Sequence, residues 1–82
     1  MNLDELRTGQ SANICAVNVS GKLSERLNML NIFEGAKVTL LRRAPFGGGF
    51  LLEAGGVRLA LRKNIAEKIQ VTLEDKNEQC SG

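Results

Sequence analysis

The sequence predicts a small, mainly β domain, a barrel of about five short strands with one inserted α-helix. Three observations carry that expectation. Two apolar runs, Phe50–Ala54 and Val57–Leu61, flank the pair Gly55-Gly56. A Gly-Gly pair between such runs marks a two-residue hairpin, because both turn positions need positive φ, which Gly adopts without a Cβ clash. Ser11–Val17 and Ile69–Leu73 show the period-two alternation of half-buried strands. Only residues 22–30 carry helical spacing, with Leu23, Leu27 and Leu30 at i, i+4 and i+7.

Taken in order, Leu3 and Leu6 suit one helical turn, or an extended plug across the barrel mouth, before Gly9 breaks it. In the first strand Ala12, Ile14 and Ala16 share a face, with Cys15 and Val17 opposite. Ser20 is placed to cap the helix that follows. Met29 borders the helix's apolar face, and Asn31 suits the left-handed residue after the C-cap, with Ile32 placed for the apolar contact that accompanies such a cap. Gly35 sits at a turn position that favours positive φ. The second strand begins at 38–41, where Val38 and Leu40 share a face and the adjacent Leu41 signals a bulge. Pro45 stops that strand, since it has no N–H to give to a ladder. After the hairpin, 64–67 have room for a single turn, expected to be 3₁₀. The last strand follows. Residues 1–73 form one domain, and the polar stretch 74–82 is expected to be a disordered tail.

Composition narrows the function classes. In 82 residues there is one small core and no histidine, so the commonest acid-base catalyst and metal ligand are missing. A cysteine nucleophile would lack its base. The cysteines are Cys15 and Cys80. They leave a tetrahedral zinc set half filled, and read as incidental reduced thiols they fit a cytosolic protein. No span or leader pattern is present, so the expected location is cytoplasmic. No catalytic residues, cofactor or metal site are expected; a carboxylate Fe(II) association has no ligand cluster behind it. Residues 42–63 hold Arg42, Arg43, Arg58, Arg62 and Lys63 against Glu53, a local balance of 5 − 1 = +4. That mild patch has no Tyr or Trp for stacking, which argues against a nucleic-acid partner.

Gly47-Gly48-Gly49 resembles a phosphate loop only superficially. A phosphate loop runs into Lys-Ser/Thr and a helix, and here the glycines run into a strand. The loop residues of interest are aromatic and basic. Phe33 and Phe46 lie in turns, where a large apolar side chain marks either a partner surface or a cover for the barrel rim. Arg43 and Arg62 are placed to bracket the same surface.

The order Leu-x-x-Leu-x-x-Gly at 3–9, Arg-Leu-x-x-Leu-x-Ile at 26–32, Gly35, Arg-Ala-Pro-Phe-Gly at 43–47, Leu-Ala-Leu-Arg-Lys at 59–63 and Ile-x-Val at 69–71 resembles the FeoA family. The resemblance implies an SH3-like barrel with an inserted helix. It also implies an accessory role in bacterial ferrous iron uptake, with the cytoplasmic GTPase domain of the membrane transporter FeoB as partner. The membrane is then reached only through the transporter. The residues this points to are Phe33, Arg43, Pro45, Phe46 and Arg62. The alternative is a transition-metal-binding or metal-sensing SH3-like module. The chain departs from the family pattern at Asn31, where Gly is usual, at Glu34, where Pro is usual, and at Gly48-Gly49, where Asp-Pro is usual.

Overall fold

A computed structural model describes residues 1–44 and 48–73; the expected tail at 74–82 lies outside them. The chain runs through a 3₁₀ turn (Leu3–Glu5), β1 (Ser11–Val17), α1 (Gly21–Met29), β2 (Lys37–Arg43), β3 (Phe50–Ala54), β4 (Val57–Leu61), α2 (Lys63–Ala66) and β5 (Ile69–Leu73). The five strands form one antiparallel sheet in the order β4-β3-β2-β1-β5. The fold class expected from sequence is therefore observed, with α1 as the main helix.

Alternation dictates the core. Ala12 and Ile14 of β1, Val38 and Leu40 of β2, Leu52 and Ala54 of β3, Leu59 and Leu61 of β4, and Ile69 and Val71 of β5 all point inward and are buried. Among the described residues the buried set is entirely apolar, which suits a small domain that has little stability to spare on unsatisfied polar groups. Leu3 and Leu6 are fully buried as well. Of the two alternatives the N-terminal segment takes the single turn, as 3₁₀, and an isolated bridge between Asn2 and Gln70 lays it against β5.

Two bulges bend the sheet. The β2–β3 register shifts between Leu40 and Arg42, leaving Leu41 as the extra residue. The β1–β5 register shifts between Ile14 and Ala16. The first shift lies where adjacent Leu40-Leu41 signalled it. The second interrupts the alternation expected along β1, so Ala16 is only half-buried.

Helix α1 ends in a Schellman motif. Asn31 has φ 67°, its N–H donates to Asn28 O at 3.1 Å, and the Ile32 N–H donates to Leu27 O at 2.8 Å. Leu27 and Ile32, the apolar pair that goes with this motif, are both buried. Three details differ from expectation. Ser20 occupies the N-cap, but its side chain makes no capping bond. Met29 is 84% exposed, because Leu23, Leu27 and Leu30 already define the packed face. The turn after β4 is α-helical, with Ala66 N–H to Arg62 O and Glu67 N–H to Lys63 O, both 3.0 Å. Burial of Ala66 beneath it gives the short segment enough packing to complete the wider turn.

Asn31 also joins the helix to the hairpin. Its Nδ2 donates to Ala54 O at 3.2 Å. A Cβ at Gly55 would lie 2.7 Å from that same Nδ2, so the side chain at 31 and the missing one at 55 depend on each other. Asn31→Gly keeps the left-handed geometry and loses one part-buried hydrogen bond, a cost of about 1 kcal/mol. Asn31→Ala adds the left-handed penalty of an ordinary L-residue, for about 2–3 kcal/mol in all. Urea unfolding of both variants should give that order, with Ala the less stable.

The cysteine expectation is corrected. Cys15 is disulfide-bonded, and among the described residues no cysteine is a free thiol. Pairing of β1 with β5 sets Cys15 beside Thr72, whose hydroxyl is 3.0 Å from Sγ, one residue before β5 ends. The other cysteine, Cys80, lies outside the described residues. The reduced-thiol argument for a cytosolic location therefore falls away.

Candidate functional site: the basic rim of the hairpin

The β3–β4 hairpin closes through a type I′ turn, with Gly55 at φ 57° and Gly56 at φ 83°. Its register follows from that turn: Ala54 pairs with Val57, Glu53 with Arg58, Leu52 with Leu59, Leu51 with Ala60 and Phe50 with Leu61. Even-numbered β4 residues therefore face away from the core, and Arg58, Ala60 and Arg62 follow one another along the outside.

On the β2 side Arg42 lies opposite Leu51. Arg42, Leu51 and Ala60 thus form one row across three strands on the outer face. With Gly49 and Arg62 they line a concavity of about 330 Å³. Its floor is apolar, since Leu51 is 36% exposed and Ala60 is too small to fill the space above it. Its rim is cationic. Glu53 and Arg58 sit on the next rung, 3.8 Å apart and largely exposed, where an ion pair contributes little.

Ala44, Gly48 and Gly49, at the two ends of the loop leading into the hairpin, also line this concavity. The loop's ends are held together by Ala44 N–H donating to Gly49 O, 2.9 Å. Gly49 packs so closely on the end of β4 that a Cβ there would lie 2.8 Å from Leu61 O.

The residues singled out from sequence are placed as follows. Arg62 lines the concavity at the start of α2. Arg43, one strand position from Arg42, points to another corner: its guanidinium lies 5.3 Å over the Phe50 ring and donates to the Asp4 carbonyl. There it ties β2 to the N-terminal turn, in a 240 Å³ hollow shared with Asp4 and Lys63. In the same corner Asp4 Oδ1 is buried without a hydrogen-bond partner among the described residues. Phe33 is 41% exposed and lines a different concavity, with Asn31, Lys37 and Glu53. Pro45 and Phe46 lie outside the described residues. The structure thus sets Arg62 beside Arg42, gives Arg43 a structural contact, and leaves Phe33 on a separate patch.

Sequence reasoning missed Arg42, Leu51 and Ala60 as a unit. The signal was available: once the Gly-Gly hairpin fixes the register, Leu51 must face Ala60. Among the described residues no group of three or more His, Cys, Asp or Glu side chains is arranged to hold a metal ion. No helix there is long and apolar enough to cross a membrane.

Comparison with known proteins fits this architecture. The profile of the FeoA domain matches residues 1–73. No curated protein sequence matches the chain. Among solved structures, the FeoA protein of Chlorobium tepidum is 35% identical over 95% of this chain and 74% of that one, with a TM-score of 0.87. Iron(II) transport protein A of Clostridium thermocellum is 31% identical, with a TM-score of 0.86; the match covers 92% of this chain and 46% of that one. The Stenotrophomonas maltophilia FeoA, solved as a zinc complex and described as a procaryotic SH3 domain protein, is 30% identical, with a TM-score of 0.74. That match covers 88% of this chain and 89% of the other.

Proposed function

The chain belongs to the FeoA family, an accessory family of ferrous iron transport, and we propose that it docks on the cytoplasmic GTPase domain of the FeoB transporter. The observation that carries this reading is the basic rim: Arg42 and Arg62 line a concavity with an apolar floor, together with Ala44 and Gly49. Exposed arginine next to apolar surface is what protein interfaces are enriched in. The Stenotrophomonas relative has itself been put forward as a ferrous iron transport activating factor. In this reading the chain binds rather than catalyses, works in the cytoplasm, and reaches the membrane only through its partner.

The test is a titration of isotope-labelled chain with the isolated GTPase domain, followed by amide shifts. Saturable shifts should concentrate at Gly49, Phe50 and Arg62, and Arg62→Glu should weaken the affinity about tenfold through k_off and k_on together. Absence of any shift at high micromolar partner would sink the docking claim. The zinc complex of the Stenotrophomonas protein favours a second reading, a metal-binding module. Stoichiometric Fe(II) uptake by the isolated chain would support it.

A further inference from the structure

The outer strand of the hairpin has an unused side. Among the described residues β4 ends the sheet, with β3 as its one strand neighbour. In a type I′ hairpin the residues that flank the turn exchange backbone hydrogen bonds, and every second residue repeats the pattern. Val57, Leu59 and Leu61 therefore bond to β3. The N–H and C=O groups of Arg58 and Ala60 point the other way, along an exposed edge, and neither residue's backbone enters the turn, loop and cap bonds of the described residues.

The side chains beside that edge are not those of a blunted strand alone. Charge at an edge is a common guard against pairing, and Arg58 with Arg62 would serve that purpose. Between them, however, stands Ala60, and beyond its methyl lies the exposed Leu51 floor of the concavity. The side chains of Arg42 and Arg62 have no hydrogen bond or ion pair among the described residues. The outer face thus offers cation, small apolar gap, cation at alternate positions along β4 and the extended residue that follows it, next to backbone groups with no partner strand among the described residues.

We propose that the β4 edge takes up an extended acidic-aliphatic peptide as a sixth strand. Its backbone would pair with the free groups of Arg58 and Ala60. On the outer face, the residue opposite Ala60 would be aliphatic and reach over the methyl towards Leu51. Its neighbours two positions away on either side would be carboxylates facing Arg58 and Arg62. The recognised pattern is acid-x-aliphatic-x-acid in an extended segment, since side chains on one face of a strand recur every second residue. This deepens the docking reading, and rests on it only for which protein carries the segment.

The probe is a capped heptapeptide, Ser-Glu-Thr-Val-Thr-Glu-Ser, with a control in which Lys replaces both Glu. Titrated into the labelled full chain, the acidic peptide should give saturable shifts centred on Arg58, Ala60 and Leu51, with slowed exchange of the Arg58 and Ala60 amides. The Lys peptide should give none. Ala60→Pro removes an edge donor without breaking a bond to β3, and Arg62→Glu reverses a cross-strand charge; each should weaken binding about fivefold or more. Retained shift dispersion shows that the variants fold. No saturable shift at millimolar acidic peptide overturns the proposal. So does protection of the same amides without peptide that grows with protein concentration, which would mean that a second copy occupies the edge. Binding of the GTPase domain without binding of the peptide defeats this inference and leaves the docking reading standing; the converse result defeats only the docking reading.

Discussion

Gly49→Ala is expected to destabilise the fold by about 3 kcal/mol or more. Two independent terms add at this position. The backbone has φ 139°, a region that L-residues enter at a cost of about 1–3 kcal/mol. The new methyl would also stand 2.8 Å from Leu61 O, and that neighbour is backbone held in the hairpin ladder, so it cannot rotate aside. Either β4 shifts or the loop does. Gly56→Ala isolates the first term. Gly56 has φ 83° with nothing within 4 Å of the added atom, so its cost should be about 1–2 kcal/mol. Urea midpoints of the two variants, at unchanged m-value, make the comparison. Equal losses would mean that the approach to Leu61 carries no cost. The position is informative for function too, because Gly49 lines the concavity as well as closing the loop.

The second large effect is expected at Leu27→Ala. Leu27 is the one fully buried side chain of α1. It sits at the helix position whose carbonyl accepts from Ile32, and both side chains belong to the buried core. Truncation removes buried methyl groups, leaves a cavity and loosens the helix stop, for about 3–4 kcal/mol. A domain of this size has about 4–12 kcal/mol in total, so the variant should unfold roughly 15 °C or more below the parent. Leu27→Met, which nearly conserves volume, should cost about 1 kcal/mol. Calorimetry on the pair separates cavity formation from loss of helical propensity, which Leu, Met and Ala share closely. If Leu27→Ala melted within a few degrees of the parent, α1 would be an ornament on a self-sufficient sheet.

How much of this could be read from the residues differs from element to element. The hairpin was fully legible, because Gly55-Gly56 fixes turn type, turn length and register at once. The end of α1 was legible for the same kind of reason: Asn31 followed by Ile32 satisfies both the conformational and the apolar demand of a left-handed stop. The bulge at Leu41 showed itself as two adjacent apolar residues. What stayed hidden depends on pairings between distant segments. The shift between Ile14 and Ala16, the contact of Cys15 with Thr72 and the reach of Asn31 to Ala54 all need the order of strands first. Arg43 is instructive. As an exposed arginine near a loop it read as a partner residue, yet its guanidinium is held on Phe50 and the Asp4 carbonyl, while its neighbour Arg42 points into the open concavity. A one-residue change of face along a strand separates the two roles, and the bulge just before them sets which is which.

The position of β5 has a consequence for synthesis on the ribosome. β1, near the start of the chain, takes β5, the last described strand, as one of its two neighbours, and Asn2 bridges to Gln70. While the middle of the chain emerges, α1 and the β3–β4 hairpin can form from neighbouring residues. β1 and the N-terminal turn cannot complete their pairing until residue 73 has been released. Until then the nascent chain carries an open β1 edge and an exposed N-terminal segment, Leu3 and Leu6 included.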